Sequence, residues 1–336
     1  MDRVRIGVIG LGWFGEIHCE AIAGIPGFEL AALCTRRPDR LREMGEKFGV
    51  AARFIDYREM LEKADLDAVS VVTMWDQHAA PTLAALAAGV HVFLEKPMAS
   101  TLEDCRAICE AAEAAKGHLM VGHICRFNPR FAAARREIAA GGIGRILSMS
   151  SRRNIPAAWT PEILNKIGPI IGDIIHDTDL MLWFTGAKIV SAYAQTTDLR
   201  GLKHPDIGQV MYRFDNGATA ILESVWCMPE KTPFDIDERM SVIGSEGFVH
   251  IEDTFPNFGL CTKDGFRSPD TTYWPQLHGR LSGALREELS HFAECCRTGE
   301  APAIITPRES MAAVEAALAA EESAATGQVV HLGAGS

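Results

Sequence analysis

The stretch "GVIGLGWFG", residues 7–15, joins an apolar strand-like run to a helix-like run and determines the fold prediction. Its glycines have the G-x-G-x-x-G spacing: Gly10 permits a tight turn, Gly12 lets the backbone approach a pyrophosphate, and Gly15 allows close helix–strand packing. The amino end of that helix offers N–H donors to the anion. The loop residues that we assign to a dinucleotide cofactor are Gly10, Gly12, Trp13, Phe14 and Gly15.

Apolar runs alternate with helix-like runs through residue 122. The apolar runs are "VRIGVIG", "FELAALC", "DAVSVVT", "HVFLE" and "HLMVGH". Apolar strands separated by helices are typical of a parallel sheet that helices cover on both faces. We therefore expect residues 1–122 to form a doubly wound Rossmann domain that binds a dinucleotide.

The pattern changes after residue 122. The stretches "QVMYRFDNGATAILESVW" and "MSVIGSEGFVHIED" alternate apolar and polar residues with nearly period two, and the first contains the hairpin signal D-N-G. Residues 123–336 are therefore predicted to form an α+β domain with an open, largely antiparallel sheet, for substrate binding and oligomerisation. The whole chain is an α/β protein of two domains in this prediction, and a ligand cleft between them is the default expectation.

The composition narrows the function classes. A chain of 336 residues with 47% hydrophobic content is long enough for two cores. Its formal charge is −11 and its basic residues are scattered, so no nucleic acid partner is expected. The nine cysteines include no C-x-x-C pair, which favours reduced thiols over a disulfide framework or a zinc site. Without a signal segment or a run that could span a bilayer, a cytoplasmic protein with no membrane partner is expected.

The run "HVFLEKPMAS", residues 91–100, is an apolar strand that ends in an acid, a base and a proline. It is the fifth strand of the predicted sheet, so its carboxyl end faces the crevice where ligands of such folds bind. Glu95 and Lys96 are therefore placed beside the nicotinamide of the cofactor. A surface Glu-Lys pair at the end of a strand is the alternative interpretation.

The second apolar run ends in "CTRRPDR", where an NAD-preferring site normally carries an acid for the ribose hydroxyls. Here a hydroxyl and two guanidinium groups follow, in Thr35, Arg36 and Arg37. Arginines bind a 2′-phosphate through charge-assisted hydrogen bonds, so NADP is predicted as the preferred cofactor and NAD as a possible one. A solvated start of a helix is the alternative interpretation of the two arginines.

The stretch "GDIIHDTDLMLWF", residues 172–184, places Asp173, His176 and Asp179 three residues apart, on one broad face of a helix. Alcohol oxidation needs a base for the hydroxyl proton, and we assign His176 to that role, with Asp173 as its partner or as a hydrogen-bonding group for substrate. Lys96 would stabilise the developing alkoxide. A solvated acidic face and a core histidine are the alternatives. No H-E-x-x-H or clustered cysteines accompany His176, so no metal is predicted.

Four motifs in order resemble the glucose-fructose oxidoreductase, inositol dehydrogenase and MocA-like (Gfo/Idh/MocA) family over nearly the whole chain. They are "GVIGLGWFG", "TMWDQHAAPTLAALAAGVHVFLEKPMA", "RFNPRF" and "GPIIGDIIHDTDLMLW". The resemblance implies a Rossmann domain followed by an α/β domain whose open sheet often forms oligomer interfaces, which predicts a homodimer or homotetramer. It also implies NAD(P)-dependent redox chemistry on polyols or sugars.

By this resemblance Lys96 is the catalytic lysine, Glu95 contacts the cofactor, and a cis peptide bond precedes Pro97. Thr73 and His78 are assigned to the cofactor site as well. The family commonly has Thr-Pro-Asn where this chain has Thr-Met-Trp-Asp from residue 73, a departure at the nicotinamide contact. Many members also have an aspartate four residues before the histidine, where this chain has glycine.

Substrate-side candidates come from the crossover "CRFNPRF", from the loop "SSRRNIPAAWTPEILNKIGP" and from "TTYWPQLHGR". Tryptophan rings stack on sugar rings, while arginine, asparagine and histidine read hydroxyls; packing roles and a crossover turn are the alternatives. The candidates are Arg126, Asn128, Arg153, Asn154, Trp159, Trp274 and His278.

The predicted function is hydride transfer between a nicotinamide cofactor and a secondary alcohol or ketone of a cyclic polyol, sugar or glycoside. A cofactor-binding regulator without turnover is one alternative. A nucleotide-sugar dehydrogenase is another, in which Arg152, Arg153 and Lys166 would bind the diphosphate.

Overall fold

The computed structural model describes residues 3–252, 258–263 and 265–333. Backbone contacts divide the chain into two compact units. One unit contains Met1–Phe127 and Tyr273–Met311, and the other contains Asn128–Thr272 and Ala312–Ser336. The chain therefore returns to its first unit after residue 272, while the division at residue 122 stays a prediction.

The first unit is built on parallel strands flanked by helices. Its strands are β1 (Val4–Ile9), β2 (Phe28–Cys34), β3 (Ala52–Phe54), β4 (Ala68–Val71), β5 (His91–Glu95) and β6 (Leu119–Gly122). Its helices through residue 122 are α1 (Trp13–Gly24), α2 (Pro38–Phe48), α3 (Tyr57–Lys63), α4 (Ala79–Ala87) and α5 (Leu102–Ala114). The strand order β3-β2-β1-β4-β5-β6, with every neighbouring pair parallel, confirms the predicted Rossmann sheet.

The sequence explains why these strands occupy the centre of the unit. Strands β4 and β6 are buried along their whole length, as expected for apolar strands covered on both faces. Helix α2 begins at Pro38, whose fixed φ suits the first helical position. It ends at Gly49, which has a φ of 68° that glycine adopts without strain. The local sequence patterns therefore agree with the observed burial of β4 and β6 and with the observed ends of α2.

The second unit is built mainly on antiparallel strands. Its elements are α6 (Pro129–Ala139), β7 (Ile146–Asn154), α7 (Pro161–Leu164), α8 (Ile175–Thr185), β8 (Ile189–Thr197), β9 (Ile207–Phe214), β10 (Thr219–Val225), β11 (Asp237–Gly244), β12 (Phe248–Glu252), β13 (Leu260–Thr262), β14 (Gly265–Arg267) and, at its end, β17 (Val330–His331). The chain forms β15 (Gln276–Leu277), β16 (Arg280–Leu281) and α9 (Ala284–Thr298) in the first unit, and the division after Met311 falls within α10 (Pro307–Thr326). The main sheet has the order β12-β11-β7-β10-β9-β8-β17. Only the β7–β10 pair within it is parallel among the described residues, so the predicted open, largely antiparallel sheet is confirmed.

The two faces of this sheet differ in polarity and burial. Along β9 the residues alternate between buried and exposed, with Tyr212 buried and Met211 half exposed. The buried face contacts α10, where the carbonyl oxygen of Ala316 accepts a hydrogen bond from the Tyr212 hydroxyl at 3.2 Å. The opposite face exposes large apolar side chains, including Ile221 and Phe248. An apolar sheet face thus remains open to solvent in the single chain.

Within the described ranges, none of the helices combines the length and the apolar composition needed to cross a bilayer.

Candidate active site

The glycine loop after β1 forms a cradle that fits a dinucleotide pyrophosphate. Gly10 has a φ of +100°, and a Cβ there would lie 2.5 Å from the carbonyl oxygen of Val72. A Cβ on Gly15 would collide with the carbonyl oxygen of Gly10. At Gly12, by contrast, a Cβ would meet nothing within 4 Å, so the space in front of the first turn of α1 is open. That open backbone surface at a helix amino end suits an anion.

Three aromatic rings lie beside this loop. Trp13 is 62% exposed, and its ring centroid lies 5.7 Å from that of Phe14 and 5.9 Å from that of Trp274. The Phe14 and Trp274 centroids are 5.6 Å apart. Trp274, a predicted substrate residue, is therefore packed in the first unit against the residues that begin α1. No local sequence signal indicates this contact, because it depends on the return of the chain after residue 272.

The arginines after β2 border the same loop. The Arg37 guanidinium donates to the carbonyl oxygen of Leu11 at 2.8 Å, and the exposed Arg36 donates to Gln77 at 2.6 Å. Arg40, which the sequence reasoning missed, also donates to Leu11, at 3.1 Å, and pairs with a carboxylate of α1. The signal available for Arg40 was its place in the first turn of a helix that follows the second strand. Arg37 and Arg40 thus hold the glycine loop.

At the end of β5 the Lys96-Pro97 peptide bond is cis, as predicted. The Glu95 carboxylate is 6% exposed and contacts His18 Nε2 at 3.1 Å. His18 in turn contacts the Ser70 hydroxyl at 3.0 Å. Sequence reasoning missed both residues: Ser70 is a polar residue within the apolar run of β4, whereas His18 lies among other polar residues of α1.

His78 connects the ends of two neighbouring strands. Its ring is buried and contacts the Pro97 carbonyl oxygen through Nδ1 at 2.8 Å and the Thr73 carbonyl oxygen through Nε2 at 3.1 Å. Burial lowers the pKa of His78, and these carbonyl oxygens oppose that shift. Because β4 and β5 are paired, the predicted cofactor residues Thr73, His78 and Glu95 lie along one edge of the sheet.

The predicted histidine helix begins differently from the expectation. A π-helical turn, Ile170–Ile174, runs directly into α8, so Asp173 lies in the π turn and His176 lies in the α-helix. The expected α-helical spacing is corrected at this turn, while the shared face of Asp173, His176 and Asp179 stays a prediction. His176, 7% exposed, and Asp179, also buried, both lie in α8.

Trp226 explains the local conformation at this turn. Its indole Nε1 donates to the Asp173 carboxylate at 2.8 Å. A Cβ on Gly172 would lie 2.7 Å from the ring atom Cη2 of Trp226, so the ring occupies the space of a side chain at that position. Glycine at 172 and the tryptophan just after β10 are therefore complementary, which the sequence alone did not indicate.

Two predicted substrate residues of β7 are buried within the second unit. The Arg153 guanidinium pairs with Asp177 at 3.1 Å and with Glu238. Burial raises the pKa of the Asp177 carboxyl, and Arg153 opposes that shift. The Asn154 side chain accepts from the backbone N–H of Val225 at 2.9 Å. Both side chains therefore have protein partners inside this unit.

The crossover residues also have protein partners. Arg126 is buried in the first unit and donates to the carbonyl oxygen of Ile304 at 2.6 Å and to Glu309 at 3.2 Å. Asn128 caps α6 by accepting from the backbone N–H of Arg130 at 3.0 Å. These contacts match the crossover-turn interpretation of both residues, which the sequence left open.

The last candidates are placed as follows. His278 is exposed between β15 and β16 with a φ of 51°. The side chain of Trp159 lies outside the described part of the chain. No group of three or more histidine, cysteine, aspartate or glutamate side chains in the described residues is arranged to hold a metal ion. The predicted cofactor residues all lie at or after the carboxyl ends of strands of the parallel sheet: Gly10, Gly12, Trp13, Phe14 and Gly15 after β1, Thr35, Arg36 and Arg37 after β2, Thr73 and His78 after β4, and Glu95 and Lys96 at the end of β5.

A Rossmann sheet with an open glycine cradle after its first strand is typical of dinucleotide-binding proteins, the class that contains the nicotinamide-dependent oxidoreductases. Two family models match this chain: the oxidoreductase family with an NAD-binding Rossmann fold over residues 4–123, and the GFO/IDH/MocA C-terminal domain over residues 131–250. The chain belongs to the Gfo/Idh/MocA oxidoreductase family, as the motif resemblance predicted.

Characterised relatives agree with this assignment. The scyllo-inositol 2-dehydrogenase (NAD(+)) of Bacillus subtilis strain 168 is 30% identical over 98% of this chain and 96% of that protein. The myo-inositol 2-dehydrogenase of Thermotoga maritima is 30% identical over 90% of each chain. The crystal structure of scyllo-inositol dehydrogenase from Lactobacillus casei with NAD(H) and scyllo-inositol has a TM-score of 0.85 at 25% identity, covering 98% of this chain and 99% of that one. The predicted enzyme class, a nicotinamide-dependent dehydrogenase acting on CH–OH groups, is confirmed.

Proposed function

We propose that this protein oxidises a secondary alcohol of a cyclic polyol, with an inositol as the first candidate, or reduces the matching ketone. The observation that carries the proposal is the pairing of an open glycine cradle after β1 with Lys96 at the carboxyl end of β5, in one parallel sheet. Relatives named as inositol dehydrogenases over nearly the whole chain support the polyol class.

We assign His176 as the general base for the hydroxyl proton and Lys96 as the cation that stabilises the developing alkoxide. The cofactor, when bound, supplies a nicotinamide ring that accepts or donates the hydride. The role of Asp173 as partner of His176 stays a prediction, and the Trp226 indole competes for its carboxylate. The sugar-stacking and hydroxyl-reading roles of the other candidates also stay predictions.

We propose NAD(H) as the working cofactor. The similar enzyme of Bacillus subtilis is named for NAD(+), and the Lactobacillus casei structure contains NAD(H). The NADP preference predicted from Thr35, Arg36 and Arg37 has no support from these relatives. Arg36 and Arg37 each donate to a protein oxygen, although each guanidinium has further donors for a 2′-phosphate. The ratio of kcat/KM for NAD and NADP decides between the two cofactors.

The nucleotide-sugar alternative loses support from the contacts of its basic residues. Arg153 is buried between two carboxylates, Arg152 pairs with Asp237 at 2.9 Å, and Lys166 pairs with Glu162 at 2.8 Å. A diphosphate bound to these residues would also lie close to carboxylates of like charge.

We also propose that the open sheet face of the second unit joins copies of the chain as a homodimer or homotetramer. Ile221 is 56% exposed and Phe248 is 74% exposed on that face, and large exposed apolar patches mark interaction sites. Ile221→Glu is expected to reduce the mass measured by analytical ultracentrifugation, and Leu199→Glu, an exposed leucine outside the sheet, is the matched control. An unchanged mass in Ile221→Glu would contradict this interface.

The proposed function is tested by following nicotinamide absorbance with inositols, aldoses and nucleotide sugars, each with NAD and with NADP. Turnover of an inositol with NAD is the expected result. Tight cofactor binding measured by calorimetry, without turnover of any compound, would instead support the regulator alternative. Turnover restricted to nucleotide sugars would replace the polyol by a diphosphate substrate.

A further inference from the structure

Three buried polar side chains form a connected chain behind Lys96 in the first unit. Ser70 lies in β4, His18 lies in α1, and Glu95 ends β5. Ser70 and His18 have no exposed surface, and Glu95 has very little. The contacts run from the Ser70 hydroxyl to His18 Nδ1, from His18 Nε2 to Glu95 Oε1, and from the backbone N–H of Lys96 to Glu95 Oε2 at 3.1 Å. The chain of contacts therefore ends at the residue that follows Glu95.

One placement of the protons satisfies all the hydrogen bonds in this chain of side chains. With its ring proton on Nε2, His18 donates to Glu95, and Nδ1 then accepts from the Ser70 hydroxyl. Glu95 accepts at both carboxylate oxygens, one from His18 and one from Lys96. A buried carboxylate without such donors would be costly, so each member of the chain holds the next in place.

The neighbouring strand leaves room for this arrangement. A Cβ on Gly122, at the end of β6, would lie 2.8 Å from Glu95 Oε1 and 3.1 Å from the Phe93 ring. The absence of a side chain at Gly122 thus lets the carboxylate fold back over β6 toward His18. The Phe14 and Phe93 rings pack against His18 at centroid distances of 4.9 and 5.6 Å, which fixes the imidazole from two sides. The whole chain is enclosed by apolar groups, where hydrogen bonds are strong.

We propose that Ser70, His18 and Glu95 position Lys96, so that Glu95 acts on the lysine from inside the protein rather than as a ligand of the cofactor. This inference rests on the proposed role of Lys96 in hydride transfer. His18, Ser70 and Glu95 are positioning residues, because they act through the backbone of Lys96. Cofactor affinity depends mainly on the glycine cradle, so loss of this chain is expected to lower kcat and to leave the NAD dissociation constant nearly unchanged.

The first test compares His18→Leu with His18→Gln. The leucine removes both ring contacts, whereas glutamine offers one donor and one acceptor in their place. We expect His18→Leu to lower kcat by about tenfold to a hundredfold, since small misplacements of a functional group have effects of this size. His18→Gln is expected to recover part of that loss. His91→Leu, at the opposite end of β5, is the control and is expected to keep the wild-type kcat even if its melting temperature falls.

Gly122→Ala tests the same chain without changing His18. Its methyl group would press on Glu95 Oε1 from the side of β6, so a fall in kcat without a change in NAD affinity is again expected. This variant also replaces His18→Leu as the test if the latter does not fold. A wild-type kcat in both Gly122→Ala and the folded His18 variants would overturn the inference.

Lys96→Met separates this inference from the proposed function. If Lys96→Met loses turnover while the His18 and Gly122 variants keep the wild-type kcat, only the positioning chain is wrong. If Lys96→Met keeps turnover, the role of the lysine itself fails, and the positioning inference fails with it. Equal losses of NAD affinity and kcat in the His18 variants would assign Glu95 to cofactor binding instead.

Discussion

Two carboxylates, each close in sequence to a proposed functional residue, differ in their hydrogen-bond partners. Glu95, at the end of β5, accepts the backbone N–H of the next residue, Lys96, and is held from behind by His18. Asp173, in the π turn before α8, accepts from Trp226. The acid of the first region thus accepts from the backbone of the adjacent residue, whereas the acid of the second region accepts from an indole that is distant in sequence. The hydrogen-bond partner of a side chain therefore depends on how the chain packs and not only on spacing in the sequence.

The prediction with the largest expected effect concerns His176, the residue of the second region that we assign to the acid–base step. His176→Asn is expected to lower kcat by about a hundredfold to ten-thousandfold, because a positioned general base contributes that much. The NAD dissociation constant is expected to stay the same. Steady-state kinetics and calorimetric NAD titration measure the two quantities. His331→Asn, an exposed histidine of β17, is the control, and wild-type kcat in His176→Asn would move the acid–base step to another group.

The sequence predicted the first region better than the second for physical reasons. Gly10, Gly12 and Lys96 follow rules that connect a local pattern to one sheet edge, and parallel strands bring their carboxyl ends together whatever the rest of the chain does. The turn at Gly172 depends instead on a tryptophan ring from a distant part of the sequence. A helical wheel assumes ideal α spacing and does not represent such a π turn.

Long-range packing also explains the other missed contacts. Trp274 reaches the glycine loop because the chain returns to the first unit, and the pairing of His18 with Glu95 joins a helix to a strand end. The local sequence marked Glu95 as an acid at the end of an apolar strand, but His18 lies among other polar residues of α1 and was not marked. The fold class, the Rossmann sheet and the open antiparallel sheet were all predictable, because they depend on periodicity repeated over many residues.

Gly172→Ala tests the packing side of the comparison. The new methyl group would overlap the Trp226 ring, so we expect a loss of about 1–3 kcal/mol in the free energy of unfolding, as for an overpacked core. Denaturant unfolding of the whole chain measures this loss. Gly24→Ala, where a Cβ meets nothing within 4 Å, is the matched control and is expected to be neutral or slightly stabilising. Equal stability of Gly172→Ala and wild type would show that the ring can move away.

Trp226→Phe tests the hydrogen-bonding side of the comparison. Phenylalanine keeps an aromatic ring but cannot donate to Asp173, so a loss of about 1 kcal/mol in the free energy of unfolding is expected. The same loss should not recur when Asp173→Ala, which has no acceptor, is already present, because the two changes remove one interaction. A double-mutant cycle by denaturant unfolding measures this coupling. Strictly additive effects would mean that the indole and the carboxylate do not stabilise each other.

The smallest expected effect lies in the first region and depends on pH. Burial lowers the pKa of His78, so the folded protein keeps the ring neutral where the unfolded chain takes up a proton, below its ordinary value of 6.5. The stability contributed by neutral His78 is therefore complete above that value and is lost as the pH falls below it. Wild type should lose more stability than His78→Gln between about pH 7.5 and pH 5, since glutamine has no proton to gain. His91, His204 and His291, whose pKa values burial also lowers, remain in both proteins, so the acid-side slope should decrease without vanishing. Identical slopes in denaturant unfolding at the two pH values would show that burial does not keep the His78 ring neutral against the opposing effect of the Pro97 and Thr73 carbonyl oxygens.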